Sequence, residues 1–202
     1  MKNYNKKAAI NVIVSAAKEY NEKLRNNQFL ILYQDGAETK SVSVEFRDYH
    51  FLHMTGVKSK ISAKKFYSAC IANKLAEKDF EFDTTGKVMQ KLAVLPYLSD
   101  LLYNACMIGD YINSGIFLKT DYFVGNTRAV LSVGFRNGTP ADFPVTLYNE
   151  DVRKLVHPTC KVLAIFKKKC GDKVYRECTY LAKSQKIENL KAPSDVIIEK
   201  ID

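Results

Sequence analysis

The sequence lacks the features that mark several large classes of protein. No apolar run approaches the roughly 18 to 20 residues that a membrane-spanning helix needs, and the first residues lead into an amphipathic pattern unlike the apolar core of a signal peptide. No glycine-rich phosphate loop is present, which argues against kinases, P-loop enzymes and dinucleotide-dependent dehydrogenases. We therefore expect a cytoplasmic protein that has no membrane partner and needs no cofactor.

Cysteine is also scarce, with five residues in a chain of 202. An odd number of cysteines, two of them on apolar faces of predicted helices, argues against a disulfide framework and favours a reducing compartment. His157, Cys160, Cys170 and Cys178 could in principle supply four zinc ligands. Their spacing lacks the paired two-residue steps of zinc modules, and buried free cysteines explain it equally well, so we expect no metal site.

The net charge of +9 is concentrated in three blocks of the sequence. Residues 1–27 carry +4, residues 57–78 carry +5 and residues 161–176 carry +5, and neutral or acidic stretches separate them. If the fold brings these blocks together, they would follow a phosphate backbone, and binding would weaken steeply with salt. The alternative is three solvated faces that never meet. Nucleic acid is therefore the first partner to test.

The apolar spacing predicts helices mainly in the first half of the chain. Residues 10–24 repeat every three to four positions, which predicts a long first helix. Ser62 can cap a second helix, and a third begins after Gly86, where Pro96 either kinks it or begins a separate helix. Asn149 could cap one further short helix.

The predicted strands lie mainly in the second half. Residues 28–33 and 41–47 are expected to form a hairpin across Asp35-Gly36. Four more β-rich segments favour an antiparallel meander: residues 116–124, 128–136, 161–168 and 173–181. Helices first and strands last predict an α+β fold, with one domain over residues 1–183 and a C-terminal tail over 184–202.

His53 is the first candidate for acid or base chemistry. It stands between a strand-like run and Gly56, the kind of strand end where functional side chains are displayed. The alternative is a histidine that is hydrogen-bonded at the sheet edge. On such an extended segment His50 and His53 would face opposite sides, which is poor geometry for holding one metal ion together.

Cations and hydroxyl groups on other predicted strands are further candidates. Arg136 would share its strand face with two small residues, which leaves room for a ligand, and Lys119 alternates with apolar residues. For both, a solvated strand charge is the alternative. Thr146 and Tyr148 could contact phosphate or line an edge, and Lys87 could meet an anion at a helix start.

Four short motifs, in this order, resemble the fourth family of predicted phage nucleases in the barnase, EndoU, colicin and RelE superfamily. They are His53-Met54-Thr55-Gly56-Val57, Phe66-Tyr67, Ser132-Val133-Gly134-Phe135 and Pro144-Val145-Thr146-Leu147. The resemblance covers most of the chain, to about residue 180. It implies helices packed on one face of an antiparallel sheet, a ribonuclease activity and an origin in a phage or mobile element.

The implied reaction needs no metal: a base activates the RNA 2′-hydroxyl, an acid protonates the leaving 5′-oxygen, and a 2′,3′-cyclic phosphate results. The resemblance supports His53 as base or acid and Thr146 as a phosphate or relay group. Arg136 and Lys119, as transition-state cations, and Tyr148 are candidates on chemistry alone. The expected RNA-binding residues are Lys58, Lys60, Lys64, Lys65, Lys87, Lys167 and Lys168.

The expected partner is RNA, either tRNA or mRNA, with a cognate inhibitor or a host factor as a further candidate. A different class remains open, because histidines are few and no second acid or base stands beside His53 in the sequence. In that alternative the chain is a non-catalytic RNA- or protein-binding module of the same fold that blocks a host factor.

Overall fold

The computed structural model describes residues 4–112, 119–126, 128 and 130–199. The α-helices are α1 (Lys6–Lys23), α2 (Phe51–Thr55), α3 (Ala63–Ile71) and α4 (Lys87–Val94). Short 3-10 helices occur at Asp48–His50, Glu77–Asp79, Leu95–Tyr103, Val152–Lys154 and Ile187–Asn189. The strands are β1 (Asn27–Asp35), β2 (Glu38–Glu45), β3 (Lys58–Ser59), β4 (Phe80–Glu81), β5 (Met107–Asp110), β6 (Tyr122–Asn126), β7 (Leu131–Arg136), β8 (Phe143–Tyr148), β9 (Cys160–Lys169), β10 (Val174–Tyr175), β11 (Glu177–Leu181) and β12 (Ile197–Ile198). The predicted α+β class is confirmed.

The helix ends follow local signals in the sequence. Ser62 caps α3 by accepting a hydrogen bond from the backbone N–H of Lys65, as predicted. Pro96 does not kink α4. It stands in the first turn of a separate 3-10 helix. The cap predicted at Asn149 is wrong by two residues, because Asp151 accepts the bond from Arg153 N instead and begins a short 3-10 helix.

The main sheet is antiparallel and curls until its two edges meet. The strand order is β2-β1-β9-β5-β6-β7-β8, and β11 also pairs with β9. At the start of β8, Asp142 bonds to the β2 backbone: Glu45 N donates to Asp142 O and Asp142 N donates to Ser43 O, both at 2.8 Å. Because of this closure, residues of β8 lie beside the segment that follows β2.

β1 and β2 form the predicted hairpin. The predicted antiparallel meander is only partly confirmed. β6, β7 and β8 pair in sequence order, but β9 leaves the meander and lies between β1 and β5. The predicted strand over residues 116–124 lies partly outside the described residues. The last predicted strand, residues 173–181, divides into β10 and β11. Of these two, only β11 pairs with β9.

The core between helices and sheet is rich in aromatic side chains. Tyr20 of α1 is fully buried, and its ring lies 5.2 Å from that of Phe51 and 6.0 Å from that of Phe46. Its hydroxyl donates to Arg47 O at 2.8 Å, so the buried polar group has its partner. These contacts hold the chain between β2 and α2, and thereby fix where α2 begins.

The outer face of β1 and β9 is covered by the C-terminal segment. Leu30, Leu32 and Phe166 form a second apolar cluster, against which side chains of the segment after residue 186 pack: Ile187, Leu190, Val196 and Ile198. Within the described residues, no helix is long and apolar enough to cross a membrane.

Candidate active site

His53 lies in a helix and not at the end of a strand, so the predicted extended conformation is wrong. Asp48–His50 forms a 3-10 turn that continues directly into α2, and Gly56 ends the helix with a φ of 75°. Phe51 and Met54 are three residues apart and both fully buried, so packing of this helical face selects the helix over a strand. His50 and His53, also three apart, therefore share one side of the chain.

The two histidines have different environments. His50 is buried, and its Nδ1 accepts a hydrogen bond of 3.1 Å from Arg47 N. Burial lowers the pKa of His50 to about 4, and nearby His53 acts in the same direction. His50 is therefore neutral at pH 7 and has a structural partner, whereas the side chain of His53 is accessible to solvent.

Lys91 of α4 joins His53 to Thr146. Its Nζ donates to the main-chain oxygen of His53 at 3.0 Å and to Oγ1 of Thr146 at 3.2 Å. The lysine stem passes over Gly56, where a Cβ atom would lie only 2.6 Å from Cδ of Lys91. Glycine is thus required at position 56 for two reasons: the backbone has a positive φ, and the lysine stem occupies the space that a Cβ atom would fill.

The environment of Lys91 lowers the affinity of its side-chain amino group for a proton. Burial lowers its pKa to about 8; Asp83 opposes this shift and Lys87 adds to it. The protein around the His53 ring, and then the positive charge of Lys91, lower the pKa of His53. At neutral pH the site therefore combines a neutral imidazole with an ammonium group that is still mostly protonated.

Thr146 lies on β8, at the edge of the sheet, opposite Gly134 of β7. A Cβ atom on Gly134 would lie 2.6 Å from Oγ1 of Thr120 and 2.9 Å from Cγ2 of Thr146, so the two threonines meet over this glycine. Thr120 is 8% exposed, and its hydroxyl has no hydrogen-bond partner among the described residues. Thr120 was not among the predicted site residues.

The structure brings His53 and Thr146 together through Lys91. Arg136 is exposed at the end of β7, where its backbone pairs with Phe143. Lys119 is exposed and immediately precedes Thr120. Tyr148 lies two residues beyond Thr146 on the same face, but its ring packs on Phe123, 5.9 Å between centroids, and burial raises its pKa.

The predicted RNA-binding lysines fall into two groups. Those that are exposed lie near β3 or on α3 and α4: Lys58, Lys60, Lys64, Lys65 and Lys87. Lys60 is 2.7 Å from Glu81. Lys167 is 2.7 Å from Glu177 and 3.1 Å from the hydroxyl of Tyr103, and Lys168 lies over the ring of Tyr175. These last two lysines are already engaged within the protein.

The four zinc-ligand candidates do not form one site. Cys160 begins the ten-residue strand β9 and Cys170 follows its last residue, so the two lie about 30 Å apart for extended chain. Cys160 lies against Asp35, Cys170 against Glu45, and all five cysteines are free. The described residues contain no group of three or more His, Cys, Asp or Glu side chains that could hold a metal ion.

Lys91 is the main residue that the sequence analysis missed. The available signal was its position one turn after Lys87 on α4, which places both ammonium groups on the same side of the helix start. α4 begins without a side-chain cap at Gly86, so Lys87 lies in the first helical turn, where backbone N–H groups lack the partners found further along a helix.

The protein has an α+β fold in which helices pack on a curled antiparallel sheet, and a basic, polar site lies at an edge strand. This is the fold that the four sequence motifs implied. The family model described as phage-Barnase-EndoU-ColicinE5/D-RelE like nuclease4 matches residues 12–184. The chain therefore belongs to this family of predicted nucleases. No match was found among curated proteins or among solved structures.

Proposed function

We propose that the chain is a metal-independent endoribonuclease that cleaves RNA by attack of a 2′-hydroxyl and leaves a 2′,3′-cyclic phosphate. The observation that carries the proposal is the ammonium group of Lys91, which lies between the His53 main chain and the Thr146 hydroxyl. Membership of a predicted nuclease family supports nucleic-acid chemistry, and the basic blocks of the sequence support a polyanionic substrate.

We assign the two proton transfers to His53 and Lys91, whose pKa values are both lowered. Neutral His53 takes the proton of the 2′-hydroxyl, the freed oxygen attacks the adjacent phosphorus, and the bond to the 5′-oxygen breaks. Lys91 gives a proton to the leaving 5′-oxygen, directly or through the hydroxyl of Thr146. A pKa of about 8 suits this step, because the group is charged at pH 7 yet loses its proton readily.

The remaining predicted residues keep supporting roles in the proposal. Arg136 and Lys119 are exposed cations near the β7 face that carries Gly134, where they would stabilise the charge on the phosphorane oxygens. The hydroxyl of Tyr148 would contact phosphate beside Thr146. Lys87 would bind a neighbouring phosphate at the start of α4.

The test is cleavage of end-labelled tRNA and messenger RNA in EDTA, with analysis of the product ends. We expect cyclic-phosphate termini with the wild-type protein. His53→Ala and Lys91→Met should each lower the single-turnover rate by about 100-fold or more, since general acid or base catalysis contributes about that much. His157→Ala is the matched control, because His157 is exposed outside this site.

Other outcomes would contradict the proposal in different ways. Undiminished cleavage by His53→Ala would remove this residue from the mechanism. Salt-sensitive retention of intact RNA would favour a non-catalytic binding module. Absence of any RNA interaction at low salt would count against both functions.

A further inference from the structure

Tyr49 is exposed although it stands among buried rings. Its residue is 42% exposed, and among the described tyrosine and phenylalanine residues only Tyr97, at 53%, is also exposed. Tyr49 precedes His53 by four residues in a segment whose 3-10 turn continues directly into α2, and both residues are exposed to solvent. An accessible aromatic ring therefore lies about one helical turn from the proposed base.

The ring of Tyr49 rests on a rigid stack. It contacts His50 edge to face, with 4.4 Å between centroids, and His50 in turn stacks on Phe143 at 5.7 Å and an interplanar angle of 17°. The hydrogen bond from Arg47 N to Nδ1 fixes the orientation of His50. The ring beneath Tyr49 is therefore already ordered before a ligand packs on the exposed face of the tyrosine.

The same strand supports both the stack and the proposed reacting groups. Phe143 begins β8, and Thr146 lies three residues further along it. β8 therefore holds Tyr49 through His50 and Phe143, and holds Lys91 through Thr146. This common support fixes the aromatic ring relative to the site of proton transfer.

We infer that Tyr49 is the platform on which the nucleobase next to the scissile phosphate stacks. Single-stranded RNA is recognised chiefly by bases that stack on exposed aromatic side chains, and only the sugar separates a base from its own 2′-hydroxyl. The inference rests on the proposed function for the identity of the ligand. It specifies that the substrate is unpaired at the cleavage site, because a base within a duplex cannot reach the platform.

The absence of tryptophan from the chain provides a direct test of stacking. Tyr49→Trp places a single tryptophan at the platform, and Tyr97→Trp places one at the other exposed tyrosine; each is excited at wavelengths that the remaining tyrosines do not absorb. Each variant is titrated with a single-stranded 2′-fluoro RNA hexamer, which has no nucleophile, and with inorganic polyphosphate at the same ionic strength. We expect at least twofold quenching at position 49 by the hexamer alone and an unchanged signal at position 97.

Kinetics on cleavable RNA provides the second measurement. Tyr49→Ala should raise KM about tenfold with a smaller change in kcat, and the conservative variant Tyr49→Phe should recover most of this loss because the ring is kept. Thermal denaturation checks that both variants are folded.

The outcomes separate this inference from the proposed function. RNA cleavage by the wild type without quenching at position 49 would overturn the platform alone. Equal quenching by hexamer and polyphosphate, or at both positions, would also overturn it. Selective quenching without any cleavage would support the platform and overturn the nuclease. No quenching and no cleavage would overturn both.

Discussion

A methyl group added at Gly56 should impair cleavage without removing any polar group. Gly56 has a φ of 75°, and an added Cβ would lie 2.6 Å from Cδ of Lys91. This atom belongs to a flexible side chain, so the lysine stem can move aside. Its ammonium group would then leave the oxygen of His53 and the hydroxyl of Thr146, which lie 3.0 and 3.2 Å away.

Gly36→Ala is the control for the backbone contribution. Gly36 has a φ of 58° in the β1–β2 turn, and nothing lies within 4 Å of its would-be Cβ. Each alanine therefore incurs the left-handed backbone cost of about 1–2 kcal/mol. Gly56→Ala also loses the two hydrogen bonds of the Lys91 ammonium, each worth about 0.5–1.5 kcal/mol, so we expect its free energy of unfolding to lie about 1–3 kcal/mol below that of Gly36→Ala. Cleavage should fall at least tenfold in Gly56→Ala alone, which corresponds to about 1.4 kcal/mol in the barrier.

The assay combines urea denaturation with single-turnover cleavage of labelled RNA in EDTA. Gly36→Ala should cleave at the wild-type rate, since its turn lies at the far end of the hairpin from the residues that hold Lys91. Wild-type cleavage by Gly56→Ala would refute the reasoning, because it would mean that the position of Lys91 does not matter for the reaction.

Three further predictions concern charge. The cleavage rate should rise with pH as His53 loses its proton, through a pKa below the usual range, and fall near pH 8 as Lys91 loses its own; Lys91→Met should abolish the alkaline fall in a pH–rate profile. The pKa of His50 is lowered from 6.5 to about 4, so the unfolded chain binds more protons between these values. The free energy of unfolding should therefore fall by up to about 3 kcal/mol as pH drops from 6.5 to 4, and His50→Asn should flatten this dependence in urea titrations. Lys87→Gln should weaken RNA binding and reduce the slope of log affinity against log salt by about 1, measured by filter binding from 50 to 200 mM salt.

Much of the fold could be predicted because its signals are local. The apolar repeat of α1, the cap at Ser62 and the turn at Gly36 act within a few residues of the chain, where side-chain spacing and backbone φ decide the outcome. The segment around His53 was predicted wrongly for the opposite reason. Its aromatic residues suit a strand, and burial of Phe51 and Met54 against the core decides for a helix.

The candidate site was only partly predictable because its contacts join distant parts of the sequence. The motifs supported His53 and Thr146, but a short motif carries no information about what lies between two such residues in space. Lys91 is 38 residues from the first and 55 from the second. The proposed platform at Tyr49 likewise depends on Phe143, which is 93 positions away from His50.

By itself the sequence determined the α+β class and the uneven positive charge, and it predicted two of the residues that meet in the candidate site. The tertiary structure decided how these residues meet: the sheet curls through the bonds between β2 and Asp142, and this closure brings β8 beside α2 and α4. Sequence patterns indicate whether a segment favours a helix or a strand and which of its faces is buried. Strand order and the approach of two sheet edges depend on packing between segments far apart in the chain, and that packing also places Lys91 where burial lowers its pKa.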